Sequence, residues 1–161
     1  PISRFVPLKK PKTEVGRGSL KTESADVLKA GPLIEDCKII MNKTGINGIG
    51  VAGILGNSDT GGPIIRNCQI ENNSDAYAIL ISREDTSKAG KPYRAIIDNV
   101  TITGTGDSKP AIRLEGRDGS IIRNSYIEMP NTDGIELDGT DNCTLENNHI
   151  NVGGEAVVFD K

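Results

Sequence analysis

A single stretch, SIIRNSYIEMPNTDGIELDG from Ser120 to Gly139, limits what this chain can fold into more than any other feature, because four relatives of it recur. Its core is an apolar residue, a polar one, Asn, any residue, a polar one and Ile; some ten residues later a small residue precedes Ile-x-Leu. The copies are PLIEDCKI from Pro32, PIIRNCQI from Pro63, AIIDNVTI from Ala95, SIIRNSYI from Ser120 and CTLENNHI from Cys143. Their turn residues, Asp36, Asn67, Asn99, Asn124 and Asn147, are spaced by 31, 32, 25 and 23 residues. A second apolar pair follows each copy: Ile49 and Val51, Ile79 and Ile81, Ile112 and Leu114, Ile135 and Leu137, Val157 and Phe159. Self-similarity at this period is the signature of a repeat architecture.

Each repeat carries three short segments that alternate apolar and polar, the period of a strand, and all are too short for helices. Asn or Asp between two strands suits a turn through the left-handed region, which few residues besides Gly, Asn and Asp enter readily. Stacking the repeats sets like over like, about 4.8 Å apart. The reading is an all-β chain: a right-handed parallel β-helix of about five coils over residues 31–161. An Ile ladder is expected inside at Ile39, Ile70, Ile102, Ile127 and Ile150, beside an Asn ladder at the turns. Aromatic residues make up 3% and Trp is absent, as suits a narrow interior filled by β-branched side chains.

These repeats resemble the pectate-lyase-like and polygalacturonase-like β-helix superfamily, whose coils carry the same Asn turn and Gly-Ile-x-Leu strand. The superfamily holds lyases, hydrolases, viral tailspikes and non-catalytic surface modules, so fold alone assigns no activity. Asn131-Thr132-Asp133-Gly134-Ile135-Glu136 is similar to the Asn-Thr-Asp-Gly-Ile-Asp motif of polygalacturonases, where paired acids protonate the leaving oxygen and activate water. The resemblance implies Asp133 and Glu155 as the catalytic acids of an enzyme. The set lacks parts, because Gly154 stands where the family has Asp, and the later Gly-His-Gly and Arg-Ile-Lys motifs have no counterpart. One coil also separates Asp133 from Glu155 by less than the roughly 6.5 to 9.5 Å that inverting hydrolysis needs. A strand-entry turn explains Asn131 to Gly134 equally well. Lyase chemistry would call on Ca²⁺; Asp138, Asp141, Glu155 and Asp160 with Arg113 are the residues it would use, though acidic loop residues are common. No other cofactor is expected.

Alternation along each first strand points Ile34, Ile65, Ile97, Ile122 and Leu145 inward. Leu33, Ile64, Ile96 and Ile121 then point outward, with Thr144 ending the row. Such a stripe is seldom left bare; either the N-terminal arm or a loop covers it, or it is a subunit interface, for which three-fold packing is the natural expectation in a three-faced solenoid. Residues 1–30 carry a net charge of +4 and the remainder −7. That segment, proline-rich and aperiodic, reads as an extended arm: either a solvated tail, or a strap with Phe5 and Leu8 as anchors and Lys9 and Lys10 meeting an acidic partner. Thr22 to Gly31 is either a short helix or a degenerate coil that caps the open end. The chain stops at Phe159-Asp160-Lys161, inside a coil, leaving that end to a partner or to further chain.

The remaining signals are weaker. Cys37 and Cys68 share a place in successive repeats and are expected, with Cys143, to be buried free thiols acting as small hydrophobes. His149 is expected on the surface and alone, and a zinc site is not expected. Gly53–Gly62 and Ser82–Pro92 are long loops on one side, either binding loops or tolerated insertions. The sequons at Asn42, Asn72, Asn99 and Asn142 are read as turn Asn followed by strand Thr. No apolar run spans a membrane, and nucleic acid is not expected as a partner because the body is acidic. The functional expectation is a non-catalytic structural module, a trimeric or other oligomeric part of a larger assembly such as a virion surface or tailspike, or an extracellular protein. The alternatives are a glycan-binding module, for which only Tyr77, Tyr93 and Tyr126 offer tyrosine rings to sugars, and a polyuronate-cleaving enzyme.

Overall fold

The structure, a computed structural model, describes residues 32–42, 45–51, 55–56, 62–82, 91–92 and 94–160. Over these residues the chain winds through five coils of three strands. The first strands are β1 (Leu33–Glu35), β5 (Ile64–Arg66), β9 (Ile96–Asp98), β12 (Ile121–Arg123) and β15 (Thr144–Glu146). The second are β2 (Lys38–Met41), β6 (Gln69–Asn72), β10 (Thr101–Thr103), β13 (Tyr126–Met129) and β16 (His149–Val152). The third are β3 (Ile49–Val51), β7 (Ile79–Ile81), β11 (Ile112–Glu115), β14 (Ile135–Asp138) and β17 (Val157–Asp160). Each set forms one parallel five-stranded sheet in coil order, and no helix occurs among the described residues. The expected helix or cap over Thr22 to Gly31, and the arm before it, lie outside the described residues.

Register follows the repeat. Leu33, Ile64, Ile96, Ile121 and Thr144 are successive partners in the first sheet, and Ile39, Ile70, Ile102, Ile127 and Ile150 in the second. The inward members of the middle coils, Ile65, Ile97, Ile122, Ile70, Ile102 and Ile127, are buried, each burial stabilising by about 1.5 to 3 kcal/mol. In the outermost coils Ile34, Ile39, Leu145, Ile150 and Val157 are only partly buried against this core. Phe159, in register with Leu137, is 70% exposed, because no described coil lies beyond it.

The turn residues confirm the column. Asp36, Asn67, Asn99, Asn124 and Asn147 all have φ between 52° and 55°, the left-handed region that Asn and Asp tolerate through local hydrogen bonds. Asn99 Nδ2 donates to Asn67 Oδ1 at 2.9 Å, whereas Asn124 Nδ2 donates to Asp98 Oδ1 at 2.9 Å. The amide ladder is therefore interrupted by a carboxylate. Just past each turn an inward column runs Cys37, Cys68, Val100, Ser125, Asn148. Its thiols and hydroxyl serve one local purpose: Cys37 Sγ, Cys68 Sγ and Ser125 Oγ each donate to the carbonyl two residues back. All three cysteines are free, as expected, but only Cys68 is buried, Cys37 and Cys143 being partly exposed in the outermost coils; burial pushes the Cys68 thiol up from its ordinary value.

Most of the two long loops lies outside the described residues, but they contribute β4 (Leu55–Gly56) and β8 (Lys91–Pro92), which pair antiparallel. The repeat pattern gave no hint of this pair, since neither segment belongs to a coil.

Candidate functional site

The outer face of the first sheet presents two columns side by side. One is the aliphatic row, in which Leu33 is 48% exposed and Ile64, Ile96 and Ile121 are half-buried. The other, two residues on and on the same face because strand side chains alternate, is Glu35, Arg66, Asp98, Arg123 and Glu146, successive partners in register. Its sign alternates at every coil. Arg66 donates from Nε and Nη2 to Glu35 Oε2 at 2.8 and 2.5 Å, and Arg123 donates from Nε and Nη2 to Asp98 Oδ2 at 2.9 and 2.8 Å. Glu146 lies 4.0 Å from Arg123. Hydrogen bonds from Arg123 and Asn124 hold the Asp98 carboxyl below the usual carboxylate range. Opposite charges one strand apart stabilise the sheet, where like charges would repel. The ladder was readable in the sequence as the residue before each turn, E, R, D, R, E, but only once that position was compared down the repeats rather than along them.

The other two faces differ in kind. On the third sheet Arg113 is a hub: Nε donates to Glu115 at 2.8 Å, Nη2 to Asp138 at 2.6 Å, and Nη1 to Glu136. Burial works against its charge, but the bonds to Glu136 and Glu115 outweigh that and raise the guanidinium further. The Tyr77 ring has Lys109 and Arg113 about it, with 5.7 and 6.0 Å to the ring centre. On the second sheet the structure corrects the expectation for His149. It is exposed but not alone, since its ring stacks on Tyr126 with centres 4.9 Å apart and planes 6° apart. The two are register partners, so vertical stacking of the strands brings the rings together. The Tyr126 hydroxyl in turn donates to Glu128 at 2.7 Å.

The polygalacturonase-like residues are placed as part of the backbone scaffold. Asp133 Oδ1 accepts the amide of Glu155 at 2.7 Å, the Asp133 carbonyl accepts Ala111 N, and the Glu155 carbonyl accepts Gly134 N. Asn131 Nδ2 donates to the Thr105 carbonyl and Thr132 Oγ1 to that of Lys109. Asn131 and Thr132 thus tie this strand-entry turn to the preceding coil, and Asp133 ties it to the following one. Gly154 belongs to the same contact: a Cβ there would fall inside van der Waals distance of Asp133 Oδ1. The Asp that the family carries at this position has no room while Asp133 holds Glu155.

Of the residues suggested for Ca²⁺, Asp138 and Asp160 are register partners on neighbouring strands, while Glu155 lies at the opposite end of the third sheet. Asp138 is bound to Arg113, and Glu155 precedes β17 while Asp160 ends it. No group of three or more His, Cys, Asp or Glu suited to a metal occurs among the described residues. A polar cleft of about 260 Å³ is lined by Asn42, Asn73, Asp75, Thr105 and Asp107, among others. Several of its groups bond to one another or to local backbone, as Thr105 does to Asn73 and Gly45 to Asp75. Of the sequon residues, Asn72 is fully buried and donates to the Ala76 carbonyl. Sequence reading missed Arg117, wholly buried behind the third sheet's exit, where Nη2 donates to the Ser82 carbonyl at 2.6 Å; burial pulls its guanidinium below the ordinary value. Nothing about the Gly-Arg-Asp-Gly segment distinguishes it from a solvated turn. Phe5, Leu8, Lys9 and Lys10 lie outside the described residues.

Three parallel sheets closed by repeated Asn turns define a β-solenoid, and residues 52–160, more than half of the chain, match the family described as the right handed beta helix region. The chain belongs to that family. Neither a curated relative nor a solved structure matches it.

Proposed function

We propose that the chain is a non-catalytic structural module, which self-associates through the outer face of its first sheet and takes a place in a larger protein assembly. One observation carries this reading: over coils 1 to 4 a continuous aliphatic row lies beside a charged column whose arginines and carboxylates are paired with one another. Burying that face removes apolar surface from water without stranding an unpaired charge, which is the usual cost of covering a polar sheet. The third sheet offers no such surface, since three carboxylates crowd a single arginine there. The engagement of Asp133 with the Glu155 amide supports a structural use of the acid motif.

The test is the solution mass of the protein beside that of the Ile64→Asp, Ile96→Asp double variant. The wild type is expected as a multimer and the variant as a folded monomer. A wild-type monomer, or polyuronate cleavage that disappears in both Asp133→Asn and Glu155→Gln, contradicts the proposal.

A further inference from the structure

We infer that the partner of this face is a second copy of the chain turned end for end, with coil 1 of one copy against coil 4 of the other and coil 2 against coil 3. The inference rests on the self-association proposed above and adds its geometry.

Two columns on one face impose two separate conditions. The aliphatic column occupies coils 1 to 4 and gives way to Thr144 in coil 5; the charged column reads negative, positive, negative, positive, negative from Glu35 to Glu146. A two-fold axis parallel to the strands lays each column on its own kind and reverses the coil order. Only one register of that arrangement sets all four aliphatic side chains against aliphatic ones: Leu33 on Ile121 and Ile64 on Ile96. The same register puts Glu35 opposite Arg123 and Arg66 opposite Asp98, so every ladder contact across the interface joins opposite charges.

A slip of one coil in either direction places like charge on like throughout the ladder, which disfavours it. A slip of two coils in one direction restores the charges but leaves Leu33 out and brings Thr144 in. In the other direction only two coils overlap. Copies running in the same direction, about a two-fold or three-fold axis along the solenoid, set each aliphatic residue on its own counterpart and gain nothing from the alternation. The side chains are accessible enough to serve a neighbour, with Arg66 48% and Arg123 41% exposed, and a guanidinium has five donors, enough for carboxylates on both sides. Four coils span about 19 Å at strand spacing. The patch is smaller than the roughly 800 Å² per partner of a standard interface, so the association is expected to be reversible.

Cysteine cross-linking separates the arrangements. Leu33→Cys and Ile121→Cys are prepared as separate proteins, checked for unchanged thermal unfolding, and oxidised with copper phenanthroline alone and mixed; linked peptides are identified by mass. End-for-end pairing sets position 33 against 121 and keeps each about 14 Å in coil height from its own counterpart. The mixture is therefore expected to give a 33 to 121 linked dimer, and either variant alone none at these positions. Linkage of Leu33→Cys to itself overturns the inference and leaves self-association standing, as a parallel dimer or trimer. No linkage in any sample overturns both.

Discussion

A left-handed backbone at Asp36, Asn67, Asn99, Asn124 and Asn147 explains why the turn position accepts so few residue types. Each φ near +53° costs an ordinary side chain about 1 to 2 kcal/mol. Asn99→Ala is accordingly expected to lose about that much stability in denaturant titrations, while Asn99→Gly, which enters this region freely, loses less although it also forfeits the bond to Asn67. Equal losses would mean that the amide contact matters more than the conformation.

Asp98 belongs to the same scale. Arg123 and Asn124 lower its folded pKa, so its contribution is complete above the unfolded carboxylate value, about 3.9, and is lost as pH falls through the lower folded value. The pair is partly exposed, so solvent screens it and its contribution to stability is small. The difference in melting temperature between wild type and Asp98→Asn is expected to hold from neutrality down to about pH 4, then close at lower pH. A difference that persists undiminished in strong acid contradicts this account.

Within a strand, the two faces carry different burdens. Ile102 on β10 is buried between Ile70 and Ile127, whereas Ile40 on β2 is 54% exposed. Ile102→Ala is expected to cost about 2 to 5 kcal/mol by leaving a cavity that rigid coils above and below cannot fill. Ile40→Ala is expected to stay within about 0.5 kcal/mol, and chemical denaturation compares them. The positions of the coil strands, their register and the inward or outward sense of the ladder isoleucines were legible, because the period of two and the repeat spacing fix them together. Contacts between neighbouring coils were less so. The Arg66–Glu35 and Arg123–Asp98 pairs, the Tyr126 and His149 stack and the bonds of Arg113 to Glu136 and Asp138 each join residues 23 to 31 positions apart. They become visible only when the repeats are read as columns. Arg117 and the β4 and β8 pair stayed illegible because they lie where the chain leaves the repeat, and no periodicity reaches them.

At the level of the whole molecule, the three faces of the solenoid are chemically distinct. The first is aliphatic with a charge ladder of alternating sign, the second mixes polar residues with one aromatic stack, and the third gathers carboxylates around Arg113. In the acid motif that resembles a hydrolase, Asn131, Thr132 and Asp133 each bond to a neighbouring coil. The measurement that bears most directly on the functional account is a methyl spectrum of isoleucine- and leucine-labelled protein, recorded over a dilution series. The account predicts concentration-dependent shifts confined to Leu33, Ile64, Ile96 and Ile121, with Ile40 and Leu80 unmoved. Shifts that leave these four unchanged, or that fall on the second or third sheet instead, would contradict it.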